Sequence, residues 1–145
     1  MALHVYNSLS EAKEEFNPIF PNKVSVYVCG PTVYSDTHLG HAKTYVGFDI
    51  IVRYLQYSGY STFYVQNITD VGHLVGDVDD GEDKILKKAR EVNQEPMAVV
   101  EKYTRQYFQV MDALGVQRPD ISPRASGHIP EQIQAIETLI EKGHA

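Results

Sequence analysis

The order of patterns between residues 23 and 68 limits the fold more than any other feature of this sequence. Residues 23–29 alternate valine with polar or aromatic residues and predict a strand, and residues 61–68, STFYVQNI, predict another. Between them, residues 41–58 carry apolar side chains at helical spacing, and Gly59 follows as a stop. A strand, a helix and a strand in this order favour a right-handed crossover between parallel strands.

The predicted fold class is therefore α/β, with a parallel sheet flanked by helices. Further helices are predicted at about residues 82–93 and 96–114, and a last helix has Pro130 in its first turn. The proline-rich residues 117–128 between them are predicted to be a connection. Because ligands bind beyond the carboxyl ends of parallel strands, we expect Cys29 and the residues after the second strand to share one site.

Composition sets outer limits on the function. The 145 residues, 43% of them hydrophobic, are enough for one domain with a buried core, and the net charge of −6 disfavours an extended basic face for nucleic acid. A single cysteine excludes an internal disulfide, and no apolar run approaches the ~18 residues of a membrane span. We expect a cytoplasmic protein without membrane contact, and, because the chain stops soon after Gly143, a fragment.

Two histidines three positions apart, His38 and His41, are the strongest chemical signal. If a helix starts near Leu39, they lie on adjacent turns of one face at its N-terminal end, where unpaired backbone N–H groups and the helix dipole attract anions. Gly40 has no side chain, so a nucleotide can approach closely. The arrangement suits nucleotidyl transfer, in which negative charge builds on phosphorus. Polar surface histidines and a zinc site are the alternatives that the spacing leaves open.

Three segments resemble one family. Residues 29–55, CGPTVYSDTHLGHAKTYVGFDIIVRYL, resemble the signature region of cysteinyl-tRNA synthetases, which are class I enzymes. Residues 65–70, VQNITD, and residues 118–126, RPDISPRAS, resemble later segments of the same family. The sequence HLGH stands where the family usually has His-Ile-Gly-His, and Ser35 stands where an aspartate is common.

The resemblance implies that residues 1–145 are the N-terminal half of a Rossmann-like class I catalytic domain. The full-length protein is then expected to activate L-cysteine with ATP and Mg²⁺ and to transfer it to tRNA(Cys), as a monomer. The fragment alone is expected to be inactive, because the lysine-bearing class I loop and the anticodon-binding domain follow later in the family. A mycothiol-pathway ligase, which passes cysteine to an amino-sugar, and a non-catalytic nucleotide- or zinc-binding module are the alternatives.

The resemblance also implies roles for individual residues. His38 and His41 are expected to stabilise the phosphate charge of ATP, and Gly40 to admit the nucleotide. Cys29 is expected to be one ligand of a Zn²⁺ ion that binds the sulfur of the substrate cysteine, with the other ligands later in the chain. Zinc favours a soft thiolate over a hydroxyl, which separates cysteine from serine. From the residues alone, an inert buried thiol is the alternative for Cys29.

Three residues at the strand ends, Gly30, Thr69 and Asp70, are expected to contact the amino-acid substrate. Thr69 and Asp70 end the second strand's run and offer a hydroxyl and a carboxylate, and the resemblance supports substrate contact by both. A helix cap or a turn is the alternative for Asp70.

The remaining polar features are expected to be structural or solvent-exposed. His73, His128 and His144 are predicted to be surface residues or caps. The acidic residues 76–84, GDVDDGEDK, do not match the ligand spacing of an EF-hand, so a solvated loop is predicted. Arg124 is predicted to be structural or close to the site.

Overall fold

The computed structural model describes residues 3–72 and 82–145. The strands and helices are β1 (His4–Asn7), β2 (Ala12–Glu15), β3 (Lys23–Val28), α1 (Leu39–Tyr57), β4 (Ser61–Gln66), α2 (Lys84–Glu91), α3 (Pro96–Ala113) and α4 (Ile129–Glu141). A 3-10 turn, Ser126–His128, leads into α4. The predicted α/β class is confirmed.

Strands β3 and β4 form the parallel pair that the sequence predicts. Val24 lies opposite Thr62, and Val28 lies opposite Gln66, with α1 as the crossover between the strands. Along β3 Val24 and Val28 are buried, whereas Ser25 is exposed. Both strands end at the same edge of the sheet, so the residues that follow them start side by side.

Residues 120–125 extend this sheet, and the prediction of a plain connection over residues 117–128 was wrong there. The Gln66 N–H donates to the Ile121 carbonyl at 3.0 Å, and the Ile68 N–H donates to the Pro123 carbonyl at 2.8 Å. Bridges along this segment run parallel to β4 and its continuation. Because prolines lack an N–H donor, the ladder is interrupted, and the sequence does not read as a strand.

Two apolar clusters fill the space between the sheet and the helices. The first joins the sheet to α1 and α3 and comprises Val28, Tyr45, Val52, Tyr64, Tyr107, Met111 and Val116. The second lies under α2 and α3 and comprises Val33, Ile68, Ile85, Ala89, Val99, Val100 and Tyr103. Burying one such side chain contributes about 1.5–3 kcal/mol. Val33 is 2% exposed, so the second cluster anchors the loop between β3 and α1.

The helix ends follow local signals in the sequence. Helix α2 begins at Lys84, two residues later than predicted, because the Asp83 carboxylate caps it by accepting from the N–H groups of Ile85 and Leu86. Gly59 and Gly115 have φ values of +89° and +71°. Both follow a helix and adopt the left-handed conformation that glycine favours there.

An N-terminal hairpin was not predicted. Strands β1 and β2 pair antiparallel, with His4 opposite Glu15. Nearly all of their residues are exposed, so the sequence carries no alternation between buried and exposed positions. An edge-to-face contact between the rings of Phe16 and Tyr60, 5.8 Å apart, connects the hairpin to the chain after α1.

Some predictions fall outside the described ranges. These are the surface position of His73 and most of the solvated acidic loop over residues 76–84. On either side of that segment, the Gly72 N–H donates to the Asp83 carboxylate at 2.9 Å. In the ranges that the structure describes, no helix combines the length and the apolar character that crossing a bilayer requires.

Asp49 should contribute more to stability than a comparable exposed carboxylate. It is 9% exposed, and its carboxylate accepts from the Gln117 N–H at 2.9 Å and from Arg53 Nε at 2.7 Å, which joins α1 to the chain after α3. Asp49→Ala leaves a backbone donor unpaired, so urea denaturation should show a loss of about 1–3 kcal/mol in the free energy of unfolding.

Asp112→Ala is the matched control. Asp112 pairs with Arg118 at the surface, where both side chains are about half exposed. Solvent-exposed ion pairs contribute little, so this variant should lose clearly less stability than Asp49→Ala. Equal losses in the two variants would contradict the role of Asp49.

Candidate functional site

A hydrogen-bond network joins the ends of β3 and β4. The Gly30 N–H donates to Asn67 Oδ1 at 2.7 Å, and Asn67 Nδ2 donates to Thr69 Oγ1 at 3.2 Å. The Thr69 N–H donates to the Pro31 carbonyl at 3.0 Å, and Thr32 and Thr69 form a parallel bridge. Gly30 and Thr69, expected from the sequence to meet the same substrate, therefore lie at one edge of the sheet.

Asn67 is the residue of this network that sequence reasoning missed. Its amide is part-buried and bonds to both strand ends at once. The signal available in the sequence was a polar side chain directly after an apolar strand. That signal identifies the position as a strand end but not the partner, which lies 37 residues away.

Gly30 is required by the close approach of the two strand ends. A Cβ atom at this position would lie 1.4 Å from the Asn67 carbonyl oxygen and 2.6 Å from its carbon. Contacts of this length with backbone atoms cannot be relieved by turning a side chain. Any larger residue must therefore push the strand ends apart.

His38 and His41 cap the first turn of α1 reciprocally. The Gly40 N–H donates to His38 Nδ1 at 3.1 Å, and the His38 N–H donates to His41 Nδ1 at 3.2 Å. The two imidazoles take the places that serine and glutamate occupy in a capping box. Their ring centroids lie 4.0 Å apart. A Cβ at Gly40 would lie 2.8 Å from His38 Cε1, so glycine also makes room for this cap.

This geometry corrects two details of the predicted anion site. His38 is the N-cap and His41 is the third helical residue, so they share the first turn instead of lying on adjacent turns. The Gly40 N–H is bonded to His38 and is not free. A neutral imidazole whose Nδ1 accepts a hydrogen bond carries its proton on Nε2. The donors for an anion are therefore two Nε2–H groups, at a helix end that has no acidic residue in its first turn.

The neutral state of His41 is favoured by its surroundings. Burial, followed by the charge of His38, lowers the pKa of His41 from the usual value of 6.5. The stability associated with neutral His41 is then complete above pH 6.5 and is lost as the pH falls below 6.5 towards the folded-state pKa. Near neutral pH the imidazole is an uncharged donor.

Cys29 is exposed and belongs to neither apolar cluster. The alternative of an inert buried thiol is therefore wrong. Its carbonyl accepts from the hydroxyl of Tyr45 in α1 at 3.2 Å, which joins the end of β3 to the helix that carries the histidines. Over residues 3–72 and 82–145, no three histidine, cysteine or acidic side chains are grouped so that they could hold a metal ion. Cys29 could therefore provide one thiolate ligand for a metal ion, but the described residues do not provide a complete set of ligands.

Asp70 is 2% exposed and is bonded to Ser126. Its two carboxylate oxygens accept from the Ser126 N–H at 2.9 Å and from Ser126 Oγ at 2.6 Å. This pair holds the 3-10 turn before α4 against the end of β4. Substrate contact by Asp70 stays a prediction, and its structural contact in this state is to Ser126.

The other polar residues singled out from the sequence are Arg124, His128 and His144. Arg124 Nη2 donates to Glu101 Oε2 at 2.8 Å, and this bond is the main cause that lowers the pKa of Glu101. The Arg124 carbonyl lies 2.8 Å from His128 Nδ1, so Arg124 joins α3 to the start of α4 and is structural. His128 and His144 are both exposed, as predicted.

Ser35 lines a surface cavity of about 280 Å³ next to the loop before α1. The other lining residues are Tyr34, Lys84, Lys87, Lys88 and Glu91. Serine at this position, in place of the aspartate common in the family, leaves Glu91 as the only carboxylate among the described residues that line the cavity.

Comparisons with known proteins agree on one family. A family model described as "tRNA synthetases class I (C) catalytic domain" matches residues 15–145. A "Cysteine--tRNA ligase" of Chlorobaculum tepidum is 59% identical over 148 residues, which cover 99% of this chain and 30% of the relative. Ligases with the same name from Chlorobium chlorochromatii and from a strain of Thermus thermophilus are 57% and 53% identical over the whole chain. The chain thus spans about 30% of the curated relatives that it matches.

Gly30→Ala should open the junction of the strand ends. Because the added Cβ would meet backbone atoms of Asn67, urea denaturation should show a loss of about 1–3 kcal/mol in the free energy of unfolding. Gly47→Ala is the matched control, since Gly47 lies within α1 and an added Cβ there meets no atom within 4 Å. This control should gain about 0.5–1 kcal/mol. A change of the same sign in both variants would refute the packing argument.

The pKa of His41 should depend on its neighbour. In the native protein, NMR titration of the His41 ring should give a pKa below 6.5. His38→Asn keeps an N-cap side chain but removes the neighbouring charge, so the pKa of His41 should rise while staying below 6.5, because burial is the larger cause. His128→Asn, remote in sequence, should leave it unchanged. An unaltered titration in His38→Asn would show that the two imidazoles are not coupled.

Proposed function

The chain belongs to the cysteinyl-tRNA synthetase family of class I enzymes, and from this we propose that the protein containing it is a cysteine–tRNA ligase. The observation that carries the proposal is the match to ligases of that name at 53–59% identity along the whole chain. The activity is proposed for the longer protein, because the chain spans about 30% of those relatives. The site geometry supports the same reaction, as follows.

The first step is the attack of the cysteine carboxylate on the α-phosphorus of ATP. A bond forms between a carboxylate oxygen and phosphorus, and the bond to the bridging oxygen breaks, so that pyrophosphate leaves with the electron pair. His38 and His41 donate their Nε2–H groups to phosphate oxygens as charge builds on them. In the second step a terminal hydroxyl of tRNA(Cys) attacks the activated carbonyl, and AMP leaves.

The glycines and the strand-end residues bind the substrates. Gly40 lies within the imidazole cap, where its missing side chain leaves room for the His38 ring, and the nucleotide is proposed to bind beside this cap at the start of α1. Gly30 and Thr69 lie at the ends of β3 and β4, where the substrate cysteine is proposed to bind. Thr69 offers a half-buried hydroxyl to its polar groups. Asp70 follows Thr69 directly in the chain, and its bonds to Ser126 hold this part of the backbone in place.

Cys29 is proposed as one ligand of Zn²⁺. It is exposed at the carboxyl end of β3, next to Gly30, and a thiolate is a ligand that zinc prefers. When bound, zinc supplies a soft acceptor that favours the substrate thiolate over the hydroxyl of serine. Magnesium accompanies ATP. We also propose that the protein containing this chain is a cytoplasmic monomer; the presence of only one cysteine in residues 1–145 agrees with a reducing compartment.

A chimaera provides a direct test. Residues 1–145 replace the corresponding segment of the Chlorobaculum tepidum ligase, and cysteine-dependent exchange of pyrophosphate into ATP is measured. His38→Asn keeps the helix cap but removes one Nε2–H donor, so kcat should fall roughly 10²- to 10³-fold. His128→Asn is the matched control and should exchange at the native rate, because His128 is exposed at the start of α4.

The acceptor decides between the related enzymes. Because the chimaera takes its tRNA-binding parts from the parent ligase, the acceptor is tested with the longer protein that contains this chain. Acylation of tRNA(Cys) by that protein is expected, whereas transfer of cysteine to an amino-sugar alone would favour the mycothiol-pathway ligase. Absence of exchange, with the parent ligase active under the same conditions, would favour a non-catalytic module. Native activity in His38→Asn would contradict the proposed role of the His38 imidazole in the reaction.

A further inference from the structure

Tyr45 connects the two halves of the site. It lies four residues after His41 in α1 and is 4% exposed. Its ring is parallel to that of His41, with an interplanar angle of 2° and centroids 6.5 Å apart. Its hydroxyl donates to the Cys29 carbonyl at 3.2 Å. One side chain therefore packs beside His41 through its ring and bonds to the end of β3 through its hydroxyl.

Tyr45 is itself held from two other elements. The ring of Tyr107 in α3 meets it edge to face, with centroids 5.3 Å apart and an interplanar angle of 75°. The Tyr107 hydroxyl donates to Gln66 Oε1 at 2.9 Å, and Gln66 is 2% exposed at the end of β4. The position of Tyr45 is thus determined by the packing of α1, α3 and both parallel strands.

The hydroxyl of Tyr45 stays a donor over the working pH range. A tyrosine phenol ordinarily loses its proton only at about pH 10. The phenol is therefore protonated near neutral pH and can keep its bond to the Cys29 carbonyl. A backbone carbonyl has no proton to donate, so the direction of this bond is fixed.

We propose that Tyr45 is a positioning residue that sets the place of Cys29 relative to His41. The hydroxyl holds the main chain at Cys29, and with it the strand ends that are proposed to bind the substrate cysteine. The ring packs beside the imidazole of His41, and so holds in place a residue that is proposed to bind the phosphates of ATP. This inference rests on the proposed function, because it assigns the two sides to cysteine and ATP.

Two substitutions separate the two contacts of Tyr45. Tyr45→Phe removes the hydroxyl and keeps the ring, so the KM for cysteine should rise about three- to tenfold, as expected for one lost hydrogen bond. The KM for ATP should stay within about twofold, because the packing against His41 is retained. Tyr45→Leu removes both contacts and should raise both KM values. Compared with Tyr45→Leu, Tyr45→Phe should therefore restore the native KM for ATP but not the native KM for cysteine.

Tyr64→Phe is the matched control. Tyr64 belongs to the same apolar cluster and is 3% exposed, and within the described ranges its hydroxyl is not bonded to Cys29. Both tyrosine-to-phenylalanine variants are compared in the full-length chimaera by pyrophosphate exchange and by urea denaturation. A general loss of core stability should affect the two variants alike and should not separate the KM values. The control should keep native KM values for both substrates.

The outcomes separate this inference from the proposed function. If the unsubstituted chimaera shows no cysteine-dependent exchange while the parent ligase does, the proposed function fails. If the unsubstituted chimaera is active and Tyr45→Phe has the native KM for cysteine, the positioning role fails and the function stands. Equal rises in both KM values in Tyr45→Phe would also overturn the assignment, because the hydroxyl would then not act on the cysteine side alone.

Discussion

The contact between the ends of β3 and β4 is the constraint on which the site depends. The Gly30 N–H reaches the Asn67 side chain at 2.7 Å, while the Gly30 Cα lies against the Asn67 carbonyl, where no Cβ fits. This contact sets the spacing between the thiol-bearing end of β3 and the hydroxyl of Thr69. The helix that carries the imidazoles starts from the same edge, so its placement follows from the crossover between these strands.

Buried polar groups connect the sheet edge at the ends of β3 and β4 to the rest of the fold. Asp70 bonds to Ser126, Asp49 bonds to the Gln117 N–H, and Tyr107 bonds to Gln66. Each pair joins segments that are at least 41 residues apart in the chain. A buried polar group without a partner is costly, so these pairs favour one relative placement of the helices and the sheet over its alternatives. The apolar clusters supply most of the driving force, whereas these bonds make the arrangement specific.

How much the sequence predicts depends on whether a feature is local. The bounds of β3, α1 and α3 were predicted closely, because alternation, helical spacing and glycine stops are local patterns. The hairpin of β1 and β2 has almost no buried face, and residues 120–125 pair beside prolines, so neither carries the usual strand pattern. At the candidate site, spacing and residue type indicated the two histidines, whereas the role predicted for Cys29 came from the family resemblance. The parts played by Asn67 and Tyr45 depend on partners in other elements, which no local pattern reveals.

The reciprocal cap of His38 and His41 has an energetic consequence for ligand binding. Surface imidazoles normally exchange between rotamers, and a ligand that needs them in one orientation must offset the lost side-chain entropy. Here each ring is immobilised by a backbone N–H when the first turn of α1 forms. The side-chain entropy is therefore lost when the protein folds and not when a ligand binds. The two imidazole donors are preorganised before an anion binds.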